Sequence, residues 1–202
     1  HWAELSAGDA PPPGGLVLVG WSHGGAEALR TAAGAADLTA AVVGLCAAGL
    51  IEREPQELVT SFAGEVARIG VAALKQGPAA AWQAVRVGLD ITGGIGGDLL
   101  RTRSPRRVVE DACWSAAKVS GAAYAYPGRV VLLFAENDTV IRWHAVFPGC
   151  ATPAEIPACL AAYQRTDFPC ARSLAVRVLP GNHLSPGVEP AYARAALALT
   201  GE

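Results

Sequence analysis

The feature that most constrains the fold is a short apolar run that ends in a serine flanked by glycines. Residues 16–25 read Leu-Val-Leu-Val-Gly-Trp-Ser-His-Gly-Gly, which fits the pattern G-x-S-x-G around Ser22. The apolar run predicts a buried strand, and the Ala-rich stretch 24–36 after it predicts a helix. A serine at such a turn is held in a strained backbone conformation that projects its Oγ from the end of the sheet. The alternative interpretation is a serine that caps the following helix.

The rest of the chain alternates between strand and helix patterns. Further buried strands are predicted at residues 41–46, 128–138 and 173–183. A loop is predicted between the last two strands, and a final helix at 189–199. Residues 52–126 show helical spacing and contain no convincing strand. This order predicts an α/β fold with a mostly parallel sheet flanked by helices. We expect 1–51 and 127–202 to form the α/β core and 52–126 to form a helical insertion.

Composition excludes several classes of protein. Of the 202 residues, 51% are hydrophobic and 17% charged, which is typical of a folded domain, and the net charge is −2. Such a charge implies no attraction to nucleic acid or to an anionic membrane surface. We see no apolar run of the roughly 20 residues that a membrane span needs. The compartment stays open, with a soluble protein, intracellular or organellar, favoured, and because the chain starts at His1 without Met, a targeting segment could be missing.

A serine nucleophile needs a base, and the base needs an acid that orients it. His183 follows the strand predicted at 173–183, so it should lie at the same sheet edge as Ser22. His23 adjoins the serine but should point away from its Oγ, and His144 lies in an amphipathic stretch. Asp138 ends the preceding strand and is the predicted acid, with Glu136 as the substitute. The alternatives are a loop histidine and a turn aspartate.

The segments around Ser22, Asp138 and His183 resemble the nucleophile, acid and histidine segments of the α/β-hydrolase superfamily. The resemblance implies a serine hydrolase that cleaves an ester or thioester through an acyl-enzyme, with the backbone N–H of His23 as an oxyanion donor. It implies a helical lid at 52–126, an apolar small-molecule ester or acyl substrate, and no metal or cofactor. Two other interpretations stay open, a non-catalytic binding protein and an acyltransferase that uses the same three residues.

The chain departs from the family at its start. Only 19 residues precede Gly20, whereas in that family several strands and a second oxyanion donor precede the nucleophile. We therefore expect a fragment that lacks N-terminal strands, is poorly soluble and is nearly inactive alone.

Five cysteines are present, and they include no C-x-x-C pair, so a zinc site is not predicted. Cys46 and Cys113 are interpreted as small buried hydrophobes. Cys150, Cys159 and Cys170 share one segment predicted as loop, where one disulfide could form with its pairing left open.

Within the predicted insertion, the glycine run 93–97 is interpreted as a hinge, since it lacks a phosphate-binding lysine. Four basic side chains are interpreted as a solvated helix start, with contact to an anion as the alternative. Three aromatic side chains are interpreted as core, with a role in acyl binding as the alternative. The basic residues are Arg101, Arg103, Arg106 and Arg107, and the aromatic ones are Phe62, Trp82 and Trp114.

Overall fold

The computed structural model describes residues 14–79, 82, 110, 113, 117–118 and 125–201. The chain divides into two compact units, one made of His1–Ile51 with Val119–Glu202 and the other of Glu52–Lys118. The glycine run at 93–97, the four arginines and Trp114 lie outside the described residues.

The first unit contains a four-stranded sheet. Its strands are β1 (Leu16–Trp21), β2 (Thr39–Leu45), β3 (Arg129–Ala135) and β4 (Ser173–Leu179). They lie in the order β1-β2-β3-β4, and every neighbouring pair is parallel. All four predicted strands are present, and the predicted α/β class with a parallel sheet is confirmed.

Apolar rows run across the sheet because the strands pair in register. Leu18 pairs with Val42, Val42 with Val130, and Val130 with Leu174, and all four side chains are buried. The next row places Val43 beside Val131 on the opposite face, since successive side chains of a strand alternate between faces. Both faces of the central strands are therefore apolar, as expected for a parallel sheet covered by helices.

Helices cover the sheet, and two of them pack against its central strands. Helix α1 (His23–Gly34) contacts β1 and β2 through small side chains such as Ala28 and Ala32. The last helix of the chain, Pro190–Thr200, packs Tyr192 and Ala195 against the row that contains Val43 and Val131. Both predicted helices are present within two residues of their predicted ends.

The connection between β3 and β4 was predicted as loop, and that prediction is wrong. It contains the short helix α3 (Trp143–Val146), a 3₁₀ turn at Pro153–Glu155 and a 12-residue helix, α4 (Ile156–Asp167). Pro153 and Pro157 are compatible with these helices, because they stand in the first turns, where a missing N–H costs nothing. The last helix, Pro190–Thr200, is α5.

The second unit, described by itself, contains the 22-residue helix Pro55–Gln76, here α2, which agrees with the predicted helical spacing. Trp82 is 70% exposed, so the prediction that it is a core residue is wrong. Cys113 is also exposed, whereas Cys46 in the first unit is buried as predicted. The role of this unit as a lid stays a prediction.

Candidate active site

Ser22 stands between β1 and α1 in a backbone conformation that few residues other than glycine adopt. Its φ is 53° and its ψ is −120°. The side chain makes no hydrogen bond that caps α1. The interpretation of Ser22 as a helix cap is therefore not supported, and its Oγ has another partner.

Two of the three glycines around Ser22 are required by close approach. A Cβ at Gly20 would overlap the backbone carbonyl of Gly24, and one at Gly25 would lie 2.5 Å from the Cβ of Ala47. A Cβ at Gly24 would meet nothing within 4 Å. The steric reason for the motif therefore applies at Gly20 and Gly25 and fails at Gly24.

Three of the predicted side chains come together at the carboxyl edge of the sheet. His183 Nε2 lies 3.0 Å from Ser22 Oγ, and His183 Nδ1 lies 2.8 Å from Asp138 Oδ2. His183 is fully buried and Asp138 is 5% exposed. The result is a continuous chain of hydrogen bonds from a hydroxyl through an imidazole to a carboxylate.

Asp138 uses its two oxygens for different partners. Oδ1 accepts hydrogen bonds from the backbone N–H groups of Val140 (2.7 Å) and Ile141 (2.8 Å), and Oδ2 is directed at His183. The contacts of Oδ1 therefore fit the interpretation of Asp138 as a turn residue, and the contact of Oδ2 fits the interpretation as the acid that orients His183. Glu136 is exposed, and the two bonds to the Oδ1 atom fix the orientation of the Asp138 carboxylate.

The segment after β4 positions His183 through contacts that the sequence did not reveal. Asn182 Oδ1 accepts from the Leu184 N–H, and Ser185 Oγ accepts from the Asn182 N–H, each at 3.0 Å. Trp21 Nε1 donates to the His183 carbonyl at 2.9 Å, and the two rings lie 5.8 Å apart. An Asn side chain that accepts from the N–H two residues further along forms a local turn.

The predicted oxyanion donor, His23, is the first residue of α1. His144 is exposed on α3, where its ring packs against Trp143, and the structure does not bring it to Ser22.

Cys46 is a further buried group beside the site. Among the described residues, a potential ligand atom from each of Cys46, Asp138 and His183 lies within 4.8 Å of the other two. The carboxylate and the imidazole of this group are hydrogen-bonded to each other. The sequence did not predict that Cys46 lies near Asp138 and His183. Cys46 directly follows β2, so its proximity depends on how the strands are arranged in the sheet.

Within the described part of the chain, no helix combines the length and apolar character required to cross a bilayer.

No protein-family model matches the chain, and no curated protein does. Among solved structures, the chain is similar to a bacterial membrane phospholipase A, with 17% identity and a TM-score of 0.52 over 93% of this chain and 57% of that one. It also resembles a marine microorganism esterase (14% identity, TM-score 0.49, 92% and 70% covered). A third is an α/β hydrolase from a deep-sea metagenome library of the Medee basin, with 13% identity and a TM-score of 0.47 over 94% of this chain and 66% of that one.

The chain thus spans 57 to 70% of the length of these three structures. At such low identity the likeness concerns the fold alone. The parallel sheet, the strained turn after β1 and the carboxyl-edge position of Asp138 and His183 agree with it. The chain has the α/β-hydrolase fold.

Proposed function

We propose that this chain is a serine hydrolase that cleaves a carboxylic ester or thioester through an acyl-enzyme on Ser22. The observation that carries the proposal is the hydrogen-bonded series Ser22 Oγ, His183 and Asp138 Oδ2 at one edge of the sheet. Within the α/β-hydrolase fold, that series in the chain order serine, acid, histidine is typical of an activated serine.

Under this proposal each nitrogen of His183 has a different role, and the hydrogen bonds support the assignment. A carboxylate only accepts hydrogen bonds, so Nδ1, which faces Asp138, carries the proton. Nε2 then presents a lone pair to Ser22 Oγ at 3.0 Å. This tautomer lets His183 act as the general base.

The reaction follows from these roles. Ser22 Oγ attacks the carbonyl carbon as its proton moves to His183 Nε2, and the imidazolium then gives that proton to the leaving alcohol or thiol. Water, activated by the same nitrogen, releases the acid from the acyl-enzyme. The His23 N–H at the start of α1 serves as one oxyanion donor. No step of this sequence requires a metal or a cofactor.

For the substrate we propose a small ester or acyl compound with an apolar acyl group. The relatives in the fold comparison include proteins named as an esterase and a phospholipase A. Under this proposal the segment 52–126 acts as a lid that excludes water from the acyl-enzyme.

The proposal is tested by labelling with a fluorophosphonate probe and by hydrolysis of nitrophenyl esters of increasing acyl length. Ser22→Ala should abolish labelling and lower turnover by about 10³-fold or more, and His183→Ala should have a similar effect on turnover. The matched controls are Ser173→Ala, at the amino end of β4, and His144→Ala, and both should keep parental rates. Circular dichroism checks that each variant is folded.

Retention of hydrolysis within a few-fold in folded Ser22→Ala would refute the nucleophile assignment. Because turnover by the chain alone is expected to be low, labelling is the deciding measurement: a folded parent that does not react with the probe would favour the binding-protein interpretation. Product analysis with added alcohol separates the remaining alternative, because an acyltransferase would form the new ester in preference to the free acid.

A further inference from the structure

The connection between β3 and β4 holds two thiols that face each other. Cys150 Sγ and Cys159 Sγ are 3.1 Å apart. Cys150 follows α3 and is 5% exposed, while Cys159 lies on α4 and is half-buried. Neither belongs to the series formed by Ser22, His183 and Asp138, so an inference about this pair does not depend on the proposed function.

Backbone contacts fix the segment between the two cysteines. The Cys150 N–H donates to the Phe147 carbonyl at 3.0 Å, which closes a turn at the end of α3. The Glu155 carboxylate then accepts from the Ala151 N–H and the Thr152 hydroxyl, each at 2.9 Å. The chain therefore returns from Cys150 into α4 along a defined path.

Aromatic packing fixes the other side of the pair. The rings of Phe147 and Tyr163 lie 4.8 Å apart, and Phe147 also packs edge-on against Phe134 of β3 at 6.1 Å. Tyr163 is one helical turn after Cys159, so both side chains lie on the same face of α4. The two sulfurs are thus held together by their surroundings, and a bond of about 2.05 Å requires an approach of only about 1 Å.

We propose that Cys150 and Cys159 form an intramolecular disulfide when the protein meets a low-molecular-weight disulfide such as oxidised glutathione. The Cys159 thiolate attacks one sulfur of the oxidant and releases one thiol, which leaves a mixed disulfide on Cys159. The Cys150 thiolate then attacks the sulfur of Cys159 and releases the second thiol. The two cysteines lose two electrons and two protons, and the oxidant becomes two thiols.

The order of attack follows from exposure. Cys159 is the more accessible sulfur, so the oxidant meets it first. The hydrogen bond with Cys159 is the main factor that raises the pKa of Cys150 to about 11, with burial adding to it. At neutral pH Cys150 therefore holds little thiolate for a first attack. Once Cys159 has reacted, its sulfur lies directly beside Cys150, and proximity favours the second step.

The test uses the full chain, incubated with excess oxidised glutathione or with dithiothreitol, then alkylated and mapped by mass spectrometry without reduction. We expect a linked peptide pair containing Cys150 and Cys159 after oxidation only. Cys170 is exposed in the same connection, so Cys170→Ser is the matched control and should form the same link. The oxidised protein should melt a few degrees higher, since the bond closes a loop in the unfolded chain.

Variants at the pair test the mechanism. Cys150→Ser should accumulate a glutathione adduct on Cys159, because no second thiol resolves it. Cys159→Ser should leave Cys150 alkylated and form little adduct. Ser22→Ala should oxidise as the parent does.

Complete alkylation of both cysteines after oxidation, or a dominant link to Cys170, would overturn the proposal. An adduct that forms faster on Cys150 in Cys159→Ser than on Cys159 in Cys150→Ser would overturn the proposed order.

Discussion

At the scale of single residues, Ser22 is held in its strained conformation by backbone hydrogen bonds. Its N–H donates to the Leu45 carbonyl at 2.9 Å, and its own carbonyl accepts from Gly25 (3.0 Å) and Ala48 (2.9 Å). A conformation of this kind costs about 1–3 kcal/mol and persists only where its surroundings fix it. The G-x-S-x-G pattern predicted the strain, but two of the three partners come from β2 and the turn after it.

Asp138→Asn should lower ester hydrolysis by about 10²–10⁴-fold while the fold persists. Asn Oδ1 still accepts from Val140 and Ile141, so the turn survives. The amide nitrogen would instead face His183 Nδ1, and because two donors repel each other, the wrong tautomer of His183 is favoured. Steady-state kcat/KM and a thermal melt measure the two effects.

The matched control for this prediction is Glu136→Gln, which changes an exposed carboxylate two residues away. It should leave kcat/KM within about twofold of the parent, as is usual for a surface substitution. If Glu136→Gln proves the more damaging change, Asp138 has only its role in the turn, and the acid must be assigned again.

The three residues of the series could be predicted because each one follows a recognisable strand. Ser22, Asp138 and His183 stand at the ends of β1, β3 and β4, and parallel strands end at one edge. The contacts of Trp21 with His183, and the position of Cys46, could not be predicted. They join residues far apart in the chain, and no local spacing encodes them.

At the scale of elements, the packing of β1 against α1 depends on particular glycines. Gly20→Ala should strongly destabilise the protein and abolish activity, because the new Cβ meets the backbone of Gly24, which cannot move without displacing α1. Gly24→Ala should be tolerated, since the space beside Gly24 is open and Ala favours a helix over Gly by up to about 1 kcal/mol. Chemical denaturation of the two variants and the parent measures the contrast.

The two substitutions add the same methyl group to the same motif, so each is the control for the other. Equal destabilisation by both would mean that the motif requires small residues for a reason other than the approach of β1 and α1. A stable Gly20→Ala would contradict the close approach itself.

Helix α4 lies in a connection that was predicted as loop, although a start signal precedes the 3₁₀ turn that leads into it. The residues Thr152-Pro-Ala-Glu155 fit the capping-box pattern S/T-x-x-E, with proline in the first turn. Glu155 accepts from the Ala151 N–H and the Thr152 hydroxyl, and these bonds lower the pKa of Glu155. The signal was therefore present in the sequence, whereas the contact of Cys159 with Cys150 depends on how α4 is packed.

At the scale of the whole molecule, the order of the strands determines how well each strand is protected from solvent. In the described part of the chain β2 and β3 have a strand on each side, while β1 and β4 have one. Val43 and Val131 are fully buried, but Val19, in the same row of the sheet, is 57% exposed. Position in the sheet, rather than hydrophobicity, thus distinguishes these three valines.

Backbone amides of β2 and β3 should accordingly exchange with solvent at least about tenfold more slowly than those of β1, because opening a central strand breaks hydrogen bonds on two sides. Hydrogen–deuterium exchange followed by mass spectrometry of peptides from each strand measures this. Strand β4 is the internal control, since it also has a single neighbour and should exchange faster than β3. Protection of β1 equal to that of β2 would contradict its end position and would mean that another strand pairs with its outer edge.

The exposure of Val19 would then be lost as well, so a substitution Val19→Lys, which should be harmless on an open edge, would destabilise the protein.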